Sequence, residues 1–213
     1  MRKQMKIEFV GDSIKVGTYT SQGSDYPDAI VKKGYPHYVT SFLKCDEMKN
    51  YAINGISYSS TSTVNSDYAI ARLVENIKEA DIVFLAGGTN DYGTDVKIGN
   101  VKDLEDVSFC GAVNIVFQTL KKNNPTAKFY VLAPIPRLNE DKPNKSGHVL
   151  NDYRRILKIK AEESGFFFID GSRLAIYPER IEDKNAYILD GTHLNENGHE
   201  KLAEFIIKNI ENQ

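Results

Sequence analysis

A serine hydroxyl attacks a carbonyl at neutral pH only when a base lies within hydrogen-bond reach and a further group orients that base. The chain carries residues of each kind at informative positions. Ser13 stands in Gly11-Asp12-Ser13-Ile14, directly after a short apolar run. Far downstream, Asp190-Gly191-Thr192-His193 precedes the last amphipathic stretch. Three-residue spacing lets one turn bring a carboxylate to an imidazole Nδ1, fixing the tautomer and stabilising the imidazolium formed during attack. Gly87-Gly88-Thr89-Asn90-Asp91 ends another apolar run, where an Asn side-chain amide can donate to a developing oxyanion. In Asn50-Tyr51-Ala52-Ile53-Asn54-Gly55, Gly55 would let a backbone N–H approach the same charge. Taken singly, each piece also reads as ordinary structure: a strand-end turn, a helix entry capped by Thr192 or Asn195, or an Asn/Gly/Asp turn.

These residues need a frame that brings distant segments together. Short apolar runs stopped by Gly, Pro or Asp recur at 6–10, 51–53, 81–86, 128–133 and 166–169, and read as buried parallel strands. Stretches with 3.6-residue apolar spacing lie between them at 66–79, 104–122, 149–163 and 197–210, and read as helices. Such alternation predicts an α/β fold with helices on both faces of a parallel sheet. Ligands of open parallel sheets bind beyond the carboxyl ends of the strands. Ser13, Gly55 and Asn90 each follow a predicted strand, so the sheet would gather them on one edge. Segments 18–23 and 139–147 read as surface loops, and nothing marks a domain boundary, so residues 1–213 are expected to form one domain.

In their order along the chain, the four blocks resemble the SGNH hydrolases, the GDSL esterase/lipase family. Ser13 matches the nucleophile, Gly55 the glycine of the second block, Asn90 the asparagine of Gly-x-Asn-Asp, and Asp190 and His193 the Asp-x-x-His pair. The resemblance implies a three-layer α/β/α, flavodoxin-like fold with a five-stranded parallel sheet and an open site. It implies acyl transfer to water through an acyl-enzyme, with the Ser13 and Gly55 backbone N–H groups and the Asn90 side chain as oxyanion donors, and no metal or cofactor. Departures are Ile14 in place of Leu and Lys15 where a small or hydroxyl residue is more usual. Lys15 either alters the substrate charge preference or points to solvent. Thr18–Tyr38 looks like an insertion relative to compact members that could cover the site.

Composition narrows the alternatives. With 27 Lys plus Arg against 29 Asp plus Glu, the formal charge of -2 gives no electrostatic reason for a nucleic-acid or acidic-membrane partner. Cys45 and Cys110 make no CxxC pattern and read as free buried thiols. His37, His148 and His199 lack ligand spacing, so no metal site is expected. No stretch reaches the ~18 apolar residues of a membrane helix. The N-terminal apolar run is too short for a signal-peptide core, which makes the cytoplasm the expected location, although a chain trimmed of its leader reads the same. Asp170 ends a strand and is expected to cap or turn the chain, with Asp12 bracing the nucleophile loop. Tyr19, Tyr26, Tyr58 and Tyr92 fall in predicted loops, where they either line a sugar or acyl site or serve structure alone. The leading expectation is a serine esterase for short acyl groups such as O-acetyl on carbohydrate. A lysophospholipase or thioesterase, an inactive carbohydrate-binding module and a flavin binder are the competing readings. Oligomeric state is not legible.

Overall fold

The computed structural model describes residues 4–19, 29–63 and 68–213. Its centre is a five-stranded parallel sheet formed by β1 (Lys6–Val10), β4 (Glu47–Asn50), β5 (Ile82–Ala86), β6 (Lys128–Leu132) and β7 (Phe167–Ile169). The order β4-β1-β5-β6-β7 places the second sheet strand outside the first, which is the flavodoxin-like arrangement with a switch point beside β1. β2 (Thr18–Tyr19) and β3 (Ala29–Ile30) form a separate antiparallel pair.

Alternation along each strand builds two cores. Val10, Val83, Leu85, Phe129 and Val131 face one layer, where they pack with α3 (Ile70–Leu73), α5 (Phe109–Asn123) and α6 (Leu150–Ser164). Ile7, Phe9, Phe84, Tyr130 and Leu132 face the other, with α2 (Tyr35–Leu43) and α8 (Glu196–Glu211). Both faces are covered, which is why the central strands are apolar throughout. On the second face, Phe9, Phe84, Tyr130 and Phe167 occupy one register row across four strands and stack at 5.0, 4.8 and 5.2 Å between neighbours. Each such pair adds ~0.5–1.5 kcal/mol beyond its area burial.

Several boundaries differ from the sequence reading. The second sheet strand is 47–50, not 51–53. It is an edge strand with a mostly exposed surface, so Glu-Met-Lys-Asn serves where an apolar run is unnecessary. The expected helix at 66–79 is one turn, α3, followed by a 3₁₀ turn at Val74–Asn76. Ala69, Ile70, Val74 and Ile77 are buried as the periodicity requires, and Leu73, the fifth residue of that pattern, is half-buried. After the 3₁₀ turn the chain is extended at Ile77, whose carbonyl accepts from Asn124 Nδ2; residues 64–67 lie outside the described part. α5 begins at Phe109 rather than 104 because Ser108 caps it, its Oγ accepting from Gly111 N–H at 3.2 Å. That leaves Leu104 and Val107 exposed. In the expected insertion 18–38, Tyr35–Tyr38 open α2, whose Tyr35 and Val39 are buried core residues, so this part belongs to the framework. Residues 20–28 lie outside the described part. Short helices α1 (Ser13–Val16), α4 (Thr89–Gly93) and α7 (Ile181–Ala186) carry or flank the site.

Candidate active site

The first strand delivers Ser13 through a tight turn. A side chain at Gly11 would put its Cβ 2.6 Å from the Ala86 carbonyl oxygen, so only glycine lets the end of β1 pass this close to β5. Asp12 then caps α1, accepting Ile14 N–H at 3.0 Å on Oδ1. It does brace the loop, as the sequence suggests. Burial pushes its carboxyl up to about 6, against the Ile14 N–H and the charges of His193 and Lys15.

Asp190, Thr192 and His193 lie on the turn between α7 and α8. Asp190 Oδ1 accepts the backbone N–H of Thr192 at 2.8 Å and of His193 at 2.7 Å, which locks the turn. Oδ2 lies 2.6 Å from His193 Nδ1, and His193 Nε2 lies 2.8 Å from Ser13 Oγ, across 180 residues of sequence. With Nδ1–H given to Asp190, Nε2 is left to accept the serine proton. Asp170 sits elsewhere: its Oδ1 takes Ser172 N–H and Oγ–H and caps the 3₁₀ turn Gly171–Arg173.

Asn90 and Gly55 meet on the same edge of the sheet. Asn90 Nδ2 donates to Ile56 O at 2.8 Å, one residue past Gly55. An amide nitrogen has two hydrogens, so one remains. Gly55 holds φ at +74°, the left-handed region that disfavours side chains. The neighbouring Asp91 was not assigned a role from sequence. It is fully buried, and its two oxygens accept Tyr58 and Ser59 N–H, both at 3.0 Å, tying the Gly55 loop to the start of α4. Burial pushes Asp91 up to about 7 against those two donors.

Lys15 contradicts both sequence expectations. It is only 1% exposed, so it neither faces solvent nor meets a substrate. Its Nζ donates to Val10 O and Phe84 O, each at 2.8 Å, and lies 5.2 Å from the Phe9 ring centre at the end of the aromatic row. Burial drives its pKa well below the usual lysine range, partly offset by Asp12. For two of the loop tyrosines the structural alternative is the one that fits. Tyr58 and Tyr92 are buried, the first edge-on to Phe109, the second donating from its hydroxyl to the carbonyl oxygens of Asn139 and Lys142. Tyr26 and the side chain of Tyr19 lie outside the described part. Cys110 is buried and Cys45 half-buried, both free. Among the described residues no three His, Cys, Asp or Glu group together as a metal site would require, and no helix is long and apolar enough to cross a membrane.

Arg137 is the other residue the sequence reading missed. It follows β6 in Pro134-Ile135-Pro136-Arg137, and position at a strand's carboxyl end was the available signal. Its Nη1 donates to Thr89 O and Oγ1 at 3.2 and 3.0 Å, one residue before Asn90. A cavity of about 20 Å³, about enough for one water, lies under the nucleophile turn between Asp12, Ile14, Ala86, Thr89, Leu132 and Ile135, and Ser13 and His193 do not line it. Roomier clefts, such as one of about 530 Å³ beside Lys158, Arg173 and Lys208, lie away from Ser13 and His193.

Comparison with known proteins agrees with this architecture. The family model for GDSL-like lipases and acylhydrolases matches residues 9–201. A protein of Lactobacillus plantarum superposes with a TM-score of 0.82 at 19% identity, over 100% of this chain and 99% of its own. A Bacteroides ovatus protein described as a GDSL-like lipase gives 0.73 at 15% identity over 100% of both chains. An acetylxylan esterase from Geobacillus stearothermophilus, solved as a catalytic mutant, gives 0.59 at 20% identity, over 99% of this chain and 96% of its own. At these identities the superpositions show the fold. Among curated proteins none matches the chain in sequence.

Proposed function

Because the chain belongs to the GDSL-like lipase/acylhydrolase family, we propose that this carboxylic ester hydrolase is a serine esterase working through Ser13, His193 and Asp190. The observation that carries the reading is the unbroken chain from Ser13 Oγ to His193 Nε2 at 2.8 Å and from His193 Nδ1 to Asp190 Oδ2 at 2.6 Å. Ser13 Oγ adds to the ester carbonyl carbon as its proton passes to His193 Nε2. Asp190 stabilises the imidazolium and holds its orientation. The Ser13 and Gly55 N–H groups and the second Asn90 amide hydrogen receive the oxyanion, where one donor is worth about 10²–10³ in kcat. Collapse expels the alcohol, which takes its proton from His193. His193 then deprotonates water, which attacks the acyl-Ser13 carbonyl; collapse expels Ser13 Oγ, which takes the proton back from His193, and frees the acid.

Short acyl groups, O-acetyl on carbohydrate among them, are the proposed substrates. The shared fold with an acetylxylan esterase supports this. The test is kcat/KM for 4-nitrophenyl esters from acetate to palmitate, with acetylated sugars alongside. Acetate should rank first, with a fall as the chain lengthens. A maximum at long chains would favour a lysophospholipase or thioesterase, and no turnover of any ester would overturn the reading.

A further inference from the structure

Arg137 carries a charge that no carboxylate among the described residues meets in an ion pair. Its backbone N–H donates to Glu140 Oε2 at 2.9 Å, its Nη1 bonds Thr89, and its guanidinium carbon lies 5.5 Å from the Tyr92 ring centre. The next residue, Leu138, donates its N–H to Gly191 O at 2.7 Å, inside the Asp190–His193 turn. Arg137 is therefore pinned between the loop of Asn90 and the loop of His193, within electrostatic reach of Asp12 and Asp190.

The nearby carboxylates have other partners. Glu140 takes Arg154 Nη1 and Nη2 at 3.0 and 2.8 Å. Asp190 holds His193. Asp12 is buried on Ile14 N–H. Among the described residues no carboxylate forms an ion pair with Arg137; its Nε is buried without a hydrogen-bond partner, so Nη2 is the donor left for a ligand. Nη2 likewise makes no hydrogen bond to a described residue, and the side chain is partly open to solvent. An arginine keeps its charge, and its planar fork suits a carboxylate better than a neutral hydroxyl.

We propose that Arg137 is an anion-binding residue of the active site, and that the preferred substrates are esters bearing a carboxylate close to the scissile bond. This rests on the esterase reading above. The carboxylate can belong to the acyl part or to the alcohol part, and matched substrates separate the two. In the acyl arm, 4-nitrophenyl hydrogen adipate is compared with 4-nitrophenyl hexanoate. In the alcohol arm, 3-acetoxybenzoate is compared with 3-acetoxybenzamide. In the wild type one arm should favour the anion by roughly 10- to 100-fold in kcat/KM, the effect of a hydrogen bond to a charged group. Arg137→Gln keeps a donor for Thr89 but removes the charge, and should bring that ratio to about one, chiefly through KM. Arg137→Lys should retain part of the preference. A ratio near one in both arms of the wild type, or a ratio unchanged in Arg137→Gln, would overturn the proposal.

A binding measurement keeps this proposal separable from the catalytic one. Calorimetry of adipate with Ser13→Ala should show binding that is lost in Ser13→Ala/Arg137→Gln. Binding of that kind with no hydrolysis of any ester would sink the esterase reading and leave the anion site standing. Ester hydrolysis without Arg137-dependent binding or preference would do the reverse.

Discussion

His199 should make the fold acid-sensitive by an amount that can be worked out. Its ring is fully buried in α8, stacked on Tyr35 at 6.2 Å, with Nδ1 accepting Tyr35 N–H at 3.4 Å. No hydrogen-bond partner of its Nε2 is present among the described residues. Burial, with a smaller contribution from His193, lowers its pKa to about 4. The unfolded chain takes up a proton near the reference value of about 6.5. Between these values the unfolded state binds more protons than the folded one, so stability is full above pH 6.5 and falls as pH drops toward 4. At pH 4.5 the loss from this residue is about 2–3 kcal/mol. Asp12 and Asp91 act in the opposite sense: their carboxyls, raised to about 6 and about 7, hold protons in the fold that the unfolded chain has released, adding stability as pH falls. His199→Gln keeps an acceptor for Tyr35 N–H, does not titrate and leaves both aspartates in place, so their effects cancel in the comparison. Urea unfolding of both proteins at pH 7.5 and pH 4.5 is the assay. The wild type should lose ~2–3 kcal/mol more than His199→Gln between those pH values. Equal losses would show that His199 ionises within the fold, and would refute its burial as the cause.

Three further outcomes are expected. Asn90→Ala should lower kcat by about 10²–10³ with KM little changed, since an oxyanion donor acts on charge formed in the transition state; a rise confined to KM would make Asn90 a substrate-binding residue. Asp190→Ala should cost far more kcat than Asp170→Ala in folded, monodisperse protein, because Asp170 bonds Ser172 rather than a histidine. A severe loss at Asp170 with near-normal activity at Asp190 would reverse the assignment. Gly11→Ala should destabilise the protein by about 1–3 kcal/mol and lower kcat, because the new Cβ meets the Ala86 carbonyl beneath the nucleophile turn; unchanged melting and turnover would show that the turn relaxes freely.

The sequence made the central strands readable because both faces of β1, β5 and β6 are covered, so their apolar runs are unbroken. The same logic hid β4, an edge strand that stays polar. Periodicity marked Ala69, Ile70, Leu73, Val74 and Ile77, of which Leu73 is only half-buried, but not the break in the helix or the contact Asn124 makes with the Ile77 carbonyl from the end of α5. The residues of the site were legible because each stands at a strand end or on one turn, and their order is distinctive. Lys15 was not, since a lysine is rarely buried unless paired. Only the fold reveals that the Val10 and Phe84 carbonyls and the end of an aromatic row receive it. Asp91 was visible inside its motif but acquires a role only once Tyr58 and Ser59 lie opposite. Arg137 stood outside every motif.

The central claim is that Ser13 is the nucleophile, and covalent capture tests it most directly. The protein is incubated with an organophosphonate ester, activity is followed against a 4-nitrophenyl ester, and the adduct is located by peptide mass spectrometry. One equivalent should attach to Ser13 as activity disappears in step, and Ser13→Ala should be folded, unlabelled and inactive. Full activity in Ser13→Ala, or stoichiometric labelling of a different residue, would contradict the account.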